Sequence, residues 1–292
     1  GGSTEKAAYR TKPLEEKNLV VSIAASGTLE PEEVIDVGAQ VAGQIVSFGT
    51  DSTGQPVDFR SQVKRGDILA QIDSSVYTID VAQATAELKT AEAELKQARA
   101  KFLQAERDWK RAEPLSSALA KTSIDNYEAT YRVAEAAVAV AEAKIAQTQA
   151  RLDKAKRSLE YTTIRSPIDG VVIDRRVNIG QTVVASLNAP SLFLMAKDLR
   201  RMEVWVSVNE ADIGSIRPGQ EVTFTVDAFP GREFTGLVKK TRLNATMTQN
   251  VVTYLVEVST ENPDATLLPC LTANVKFVLD RLDIALVVPN AA

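Results

Sequence analysis

Hydrophobic positions between residues 74 and 159 follow a seven-residue repeat that is interrupted once. Before the interruption, an alanine stands three positions after each large apolar residue. The large residues of this first arm are Val81, Leu88, Leu95, Phe102 and Trp109. After the interruption, the same repeat runs from Ile124 to Leu159. Apolar residues at the first and fourth positions of a heptad are typical of a coiled coil.

Two arms of similar length joined by a short turn predict an antiparallel helical hairpin over residues 74–159. An arm of about 35 residues reaches roughly 50 Å. Pro114 is expected to end the first helix, because it lacks an N–H group and clashes with the preceding turn. Ser123 is expected to cap the second helix, and Asp73 or Ser74 the first. A coiled coil between two chains is the alternative.

The segments on either side of the hairpin resemble each other. Each reads as strand, glycine turn, strand, glycine turn and strand, with Gly43 and Gly66 before the hairpin and Gly170 and Gly180 after it. Neither segment is large enough to bury its own apolar face. We therefore predict that residues 37–73 and 160–196 form one lipoyl-like β-sandwich into which the hairpin is inserted.

Strict alternation of apolar and polar residues returns after residue 198. Five such runs lie near 202–208, 221–227, 234–240, 253–259 and 273–279, and a short helix is expected after Asn209. This spacing predicts a small β-barrel over residues 197–279. The strand-like segments 20–30 and 284–289 are expected to pair as part of a remnant domain made from 1–36 and 280–292. The predicted fold class is therefore α+β, elongated and multidomain.

Composition excludes several functional classes. The 292 residues contain no histidine and one cysteine, which removes His-based catalysis, disulfide frameworks and most zinc sites. The 34 basic residues are outnumbered by 38 acidic ones, so nucleic acid is not an expected partner. We expect no enzyme activity, no cofactor and no metal.

Three segments, in this order around the hairpin, carry a resemblance to a known family. They are 37–44 (VGAQVAGQ), 161–170 (YTTIRSPIDG), and 208–213 (VNEADI) with 217–220 (RPGQ). On these segments the chain resembles the periplasmic adaptors of tripartite efflux pumps, also called membrane-fusion or HlyD-like proteins. The segment 37–44 is most similar to the adaptors of macrolide-type ABC efflux systems.

The resemblance implies a noncatalytic periplasmic adaptor that links an inner-membrane transporter to a TolC-like outer-membrane channel. It also implies self-association, usually as a hexamer, and attachment to the inner membrane through an N-terminal anchor that the given sequence lacks. An ABC transporter is the favoured partner, and a proton-driven RND pump or a type I secretion ATPase is the alternative. A coiled-coil scaffold and a biotin or lipoyl carrier remain alternatives from other classes.

The resemblance also implies two sites. Arg111, Leu115 and Ser123 fit the order of residues with which family tips contact the channel. In the alternative interpretation, Arg111 is a solvated side chain, Leu115 only fills the turn, and Ser123 only caps the second helix. Leu187 and Asn188 fall where macrolide-type adaptors form a constriction in the conduit, although Leu187 can also belong to the sandwich core.

Two further features carry expectations of their own. Cys270 is expected to be a buried small residue in a turn that requires a positive φ. Residues 49–58 lengthen the first half of the sandwich and are expected to form a surface hairpin, an insertion that the fold tolerates.

Overall fold

The computed structural model describes residues 15–115, 120–184, 190–248 and 251–287. The chain folds as two units. One contains the described residues up to Ile35 and from Met195 onward, and the other contains Asp36–Leu194.

The Asp36–Leu194 unit consists of two long helices and a β-sandwich. Two of the sandwich strands extend slightly beyond the bounds of the unit. The helices are α1 (Ser75–Ala112) and α2 (Lys121–Glu160). The strands are β2 (Val34–Gly38), β3 (Gly43–Phe48), β4 (Gln62–Val63), β5 (Ile68–Ile72), β6 (Thr163–Arg165), β7 (Gly170–Arg175), β8 (Thr182–Val183) and β9 (Ser191–Ala196). They form two four-stranded sheets in the orders β2-β9-β7-β4 and β6-β5-β3-β8.

The two halves of the sandwich interlock. Strands β3, β4 and β5 from before the hairpin pair with β8, β7 and β6 from after it, all antiparallel. Ile45 and Leu69 from the first half and Val172 and Phe193 from the second are fully buried. This confirms the prediction that a helical hairpin is inserted in a split lipoyl-like sandwich.

The glycine turns of the two halves have matching roles. Gly66 and Gly180 both have a φ near 90° (92° and 87°), which an L side chain rarely adopts. The N–H of each donates to a carbonyl of the other half, at Ser166 and Ile45 respectively, with both distances 2.8 Å. The internal repeat in the sequence therefore corresponds to a structural repeat.

The other unit is a closed β-barrel with strand order β1-β10-β13-β12-β11-β14. Its elements are β1 (Glu15–Pro31), β10 (Arg201–Asn209), the short helix α3 (Glu210–Ile213), β11 (Glu221–Val226), β12 (Glu233–Thr248), β13 (Val251–Glu261) and β14 (Thr272–Val287). Val204, Val206, Phe224 and Phe277 are among the side chains that fill it.

The barrel includes strand β1, which the predicted domain boundary at residue 36 places outside the barrel. Leu29 of β1 is fully buried in the barrel core, and β1 pairs with β10 from Ser26 to Pro31. Gly27 permits this pairing, because a Cβ there would lie 2.7 Å from the carbonyl oxygen of Trp205. The expected pairing of segments 20–30 and 284–289 is wrong in its register. The first segment pairs with an earlier part of β14, from Val20↔Arg281 to Thr28↔Thr272, and the end of β14 pairs with the start of β1, at Glu15↔Val287. Their assignment to a further domain stays a prediction.

The turn that contains Cys270 agrees with the prediction in its backbone conformation but not in its burial. Cys270 does have a positive φ, at 64°, but it is exposed, so the expectation of a buried residue is wrong. The turn requires a residue with left-handed backbone but does not require that its side chain be buried.

The segment 49–58 folds back on the sandwich: Val57 is buried, and Asp51 accepts hydrogen bonds from the N–H of Thr53 and the hydroxyl of Ser61. These contacts fix the loop to the strands that carry it.

Candidate functional site

The two arms form an antiparallel pair within one chain. The rings of Phe102 and Tyr131 lie 5.6 Å apart between centroids. Arg99 and Glu142 form an ion pair at 2.9 Å, and Glu87 lies opposite Arg151 at 3.4 Å. Partner numbers fall along α2 as they rise along α1, which only an antiparallel arrangement produces. The alternative of a coiled coil between two chains is therefore wrong for these arms.

Small residues form the contact layers between the arms. Ala84, Ala91, Ala105 and Ala112 of α1 are buried, as the heptad predicts. Ala141, Thr148 and Leu152 are the buried residues of α2. A methyl side chain at a layer position allows the two backbones to approach closely. The arms therefore pack as a pair from the sandwich toward the turn.

The ends of the helices are set by local chemistry. α1 ends at Ala112 and passes into a 3-10 turn, Glu113–Leu115, so Pro114 ends the first helix as expected. At the start of α1, Asp73 accepts from the N–H and the hydroxyl of Ser75, at 2.9 and 2.6 Å. The side-chain bond, and then the backbone bond, lower the pKa of Asp73.

The predicted cap of the second helix is wrong. α2 begins at Lys121, so Ser123 lies inside its first turn, and Ala120 holds the capping position with extended backbone and no side-chain bond. The N–H of Ser123 instead donates to the carbonyl of Ala120 at 2.9 Å. The helix therefore starts two residues before the predicted cap.

The three candidate docking residues lie at the same end of the hairpin. Arg111 is in the last turn of α1, Leu115 ends the 3-10 turn, and Ser123 is in the first turn of α2. The Arg111 side chain is 77% exposed and ion-pairs with Asp108, while Leu115 is 53% exposed. Ser123 is half-buried. An exposed cation beside an exposed apolar side chain is suited to a protein contact, and a docking role for this tip remains a prediction.

The second predicted site lies outside the described residues. Leu187 and Asn188 fall in the segment 185–189, which follows Val184. The part of the chain that the structure describes holds no group of three or more His, Cys, Asp or Glu side chains placed to bind a metal. Within the same ranges, no helix has an apolar stretch sufficient to cross a bilayer.

Sequence reasoning missed a paired charge cluster on the outer face of the barrel. Glu257 is bound by Arg242 at 2.6 Å and by Lys240 at 3.2 Å, and Arg242 lies 4.3 Å from the ring centroid of Trp205. Glu203 accepts from Lys239 at 2.8 Å and from the indole N–H of Trp205 at 3.2 Å. Alternating charges on neighbouring strands are a usable signal, but only when the strand register is known.

An interlocked β-sandwich that carries an intramolecular helical hairpin, followed by a closed β-barrel, is the architecture of an adaptor. The sequence agrees with this class. Residues 33–194 match the family model described as "RND MFP, barrel-sandwich hybrid domain", and residues 203–280 match "CusB-like, beta-barrel domain".

Individual relatives give the same result over nearly the whole chain. Macrolide export protein MacA of Yersinia pestis is 32% identical over 97% of this chain and 75% of that protein. The pyoverdine export membrane fusion protein PvdR of Pseudomonas putida is 33% identical over 93% and 73%. The crystal structure of MacA from Actinobacillus actinomycetemcomitans superimposes with a TM-score of 0.83 at 28% identity, covering 97% of this chain and 86% of that one. The chain belongs to the RND membrane fusion protein family, whose members are non-enzymatic periplasmic adaptors.

Proposed function

We propose that this adaptor links an inner-membrane ABC transporter of the macrolide type to an outer-membrane channel and forms part of the export conduit between them. Six copies form the conduit, and each copy is attached to the inner membrane by an N-terminal anchor. The similarity to two export proteins, MacA and PvdR, supports this assignment. A proton-driven RND pump is the second candidate, favoured by the RND description of the family model that matches residues 33–194.

One observation carries the proposal: the hairpin of a single chain has its base at the sandwich and presents an exposed tip at its far end. Helix α1 has 38 residues and α2 has 40, so the tip lies roughly 55 Å from the base. The tip exposes Arg111 and Leu115. A reach of this size with an apolar and cationic end suits a contact with a separate protein.

Complementation of an adaptor-deleted strain tests the docking part of this function. Arg111→Asp and Leu115→Ser should each abolish drug export while the purified variants keep the wild-type thermal unfolding curve. Leu103→Ser is the matched control, because Leu103 is 48% exposed on the arm of α1 and away from the tip. Normal resistance in cells that carry the tip variants would contradict the docking role.

The energy source separates the two transporter classes. Export coupled to an ABC transporter should stop when the ATPase site of the transporter is inactivated and should survive a brief protonophore treatment that leaves ATP intact. Export through a proton-driven pump should respond in the opposite way. Reconstitution of the adaptor with each candidate transporter in turn gives the same distinction in purified form.

The conduit role of residues 185–189 is a separate proposal with its own test. A ring of leucines would resist the passage of water and ions by dewetting. Leu187→Gly should therefore reduce retention of substrate in reconstituted pumps. Unchanged retention would contradict a constriction at Leu187.

A further inference from the structure

Strands β12 and β13 separate at one end of the barrel. β12 pairs with β11 from Glu233 to Leu237, but its pairing with β13 begins only at Leu237↔Ser259. β13 itself continues to Glu261 along β10. Gly236 allows a close approach just before the separation, because a Cβ there would lie 2.7 Å from the carbonyl oxygen of Ser259. Beyond this point, no pair of described residues continues the ladder between the two strands.

A cleft of about 770 Å³ lies at this separation, and we call it the barrel cleft. Its lining residues all belong to the barrel unit. The hydroxyl of Thr260 donates to the carbonyl of Thr235 at 2.9 Å and so joins the two strands where the ladder is open. Buried Met202, half-buried Phe234 and exposed Leu237 supply apolar surface. A volume of this size is typical of sites for small organic molecules.

The aromatic ring in the wall of the cleft already holds a cation. The ring of Phe234 stacks on that of Phe224, with 5.5 Å between centroids and 20° between planes. The guanidinium carbon of Arg232 lies 4.9 Å from the centroid of Phe234. Because Phe224 is buried in the barrel core and Arg232 is exposed, the guanidinium covers the solvent side of the ring. The cleft therefore presents a π face that suits a positive charge.

One side of the cleft is electrically balanced. Glu32 accepts from Lys239 at 2.8 Å and lies 3.5 Å from Arg201. Lys239 also donates to Glu203 at 2.8 Å. Two carboxylates and two cations therefore compensate each other here, and this side attracts neither a cation nor an anion strongly.

The rest of the cleft carries an excess of negative charge. Glu221, Glu233 and Glu261 line it and form no ion pair with any residue in the described ranges. Arg232 is the only other charged side chain in this part of the lining. Three carboxylates against one guanidinium leave a net charge of −2. The electrostatic field of the cleft therefore favours a cation.

We propose that the barrel cleft binds an amphipathic organic cation, a positively charged centre that carries aromatic or aliphatic groups. The apolar groups contact Phe234 and Met202, and the charged centre lies near Glu233 and Glu261. An organic anion of the same shape is disfavoured, because the net charge repels it and Arg232 is already held by the ring. Binding at the cleft is a property of the barrel alone, so it goes beyond the proposed function and does not depend on it.

A pair of probe ions with the same shape and opposite charge tests the charge requirement. Tetraphenylphosphonium is an amphipathic cation, and tetraphenylborate carries the same phenyl groups around an anionic centre. In equilibrium dialysis with the purified adaptor, tetraphenylphosphonium should bind saturably. Its dissociation constant should rise with ionic strength, because salt screens the exposed carboxylates. Tetraphenylborate should bind at least about 10-fold more weakly.

Substitutions at the cleft should change the affinity for tetraphenylphosphonium in opposite directions. Glu233→Gln combined with Glu261→Gln keeps the side-chain size, removes two exposed charges and should weaken binding about 3- to 10-fold. Arg232→Gln removes the competing cation from the aromatic ring and should strengthen binding about 2- to 5-fold. The control is Glu210→Gln combined with Asp212→Asn on α3, which follows the end of β10, whereas the cleft lies at the start of that strand. The control should leave the dissociation constant unchanged.

Thermal unfolding of every variant should match the wild type, which separates an effect on the site from an effect on folding. Absence of saturable tetraphenylphosphonium binding to the wild type overturns the proposal. Equal or tighter binding of tetraphenylborate overturns it too, as does an equal effect of the cleft and α3 variants. Weaker binding of tetraphenylphosphonium to Arg232→Gln would also contradict it, because the guanidinium would then support the ligand instead of competing with it. None of these outcomes changes the proposed docking function.

Discussion

Glu257 offers a quantitative test of the charge cluster on the barrel. Its side chain is 3% exposed and accepts from Arg242 at 2.6 Å and Lys240 at 3.2 Å. Glu257→Gln keeps the size of the side chain and removes the charge. Charge-assisted hydrogen bonds contribute about 1.5–3 kcal/mol each. Arg242 and Lys240 are 42% and 62% exposed, so hydration by water compensates for part of the hydrogen-bond energy that the substitution removes. We therefore expect a loss of about 2 kcal/mol in the free energy of unfolding at pH 7.

The same substitution has a defined pH dependence. Burial alone raises the pKa of Glu257, but the hydrogen bonds from Arg242 and Lys240 outweigh it, so the pKa is lowered from its usual 4.5. A carboxyl group with a lowered folded-state pKa stabilises the protein above its unfolded pKa, and this stabilisation is lost as the pH falls. The difference between wild type and Glu257→Gln should therefore shrink between pH 5 and about pH 3.

Urea unfolding at several pH values measures both quantities. Glu261→Gln is the control, since Glu261 lies on the same strand and is exposed, and it should change the free energy of unfolding by less than about 0.5 kcal/mol. A Glu257→Gln effect below that value at pH 7, or an effect of equal size at pH 3, would refute the reasoning.

Three further substitutions test the packing described above. Ala91→Leu should cost about 1–3 kcal/mol in calorimetry by overfilling the contact between the arms, while Ala93→Leu, at an exposed position of the same helix, should be nearly neutral. Gly49→Ala should cost more than about 3 kcal/mol, because its Cβ would lie 1.7 Å from a backbone oxygen, whereas Gly54→Ala meets no atom within 4 Å and pays only for its φ of 81°. Cys270→Gly should raise the free energy of unfolding by about 1 kcal/mol by relieving a φ of 64°, and an unchanged or lower value would contradict that account.

The sequence was sufficient for the hairpin and for the split sandwich. A heptad repeat is a local pattern, because it relates residues only seven positions apart. The contacts Arg99–Glu142 and Phe102–Tyr131 follow from it. The repeat of glycine turns predicted the sandwich for the same reason, since Gly66 and Gly180 occupy matching positions with matching φ values.

Features that depend on long-range closure were not predictable in this way. β1 belongs to the barrel because Leu29 reaches its core from a position more than 170 residues before Met202, and no local pattern reports that pairing. Ser123 is a good cap by residue type, but the helix starts at Lys121, with Ala120 at the capping position. The exposure of Cys270 also depends on the surrounding strands, which the local turn sequence does not specify.

The central claim is that the hairpin tip of this adaptor contacts an outer-membrane channel. Site-specific photo-crosslinking in cells that express the adaptor, the transporter and the channel measures this contact directly. A crosslinker at Leu115 should capture the channel, and the same crosslinker at Val76, which is 66% exposed at the opposite end of α1, should not. Absence of channel crosslinks from Leu115 in an export-competent strain, or equal capture from both positions, would contradict the account.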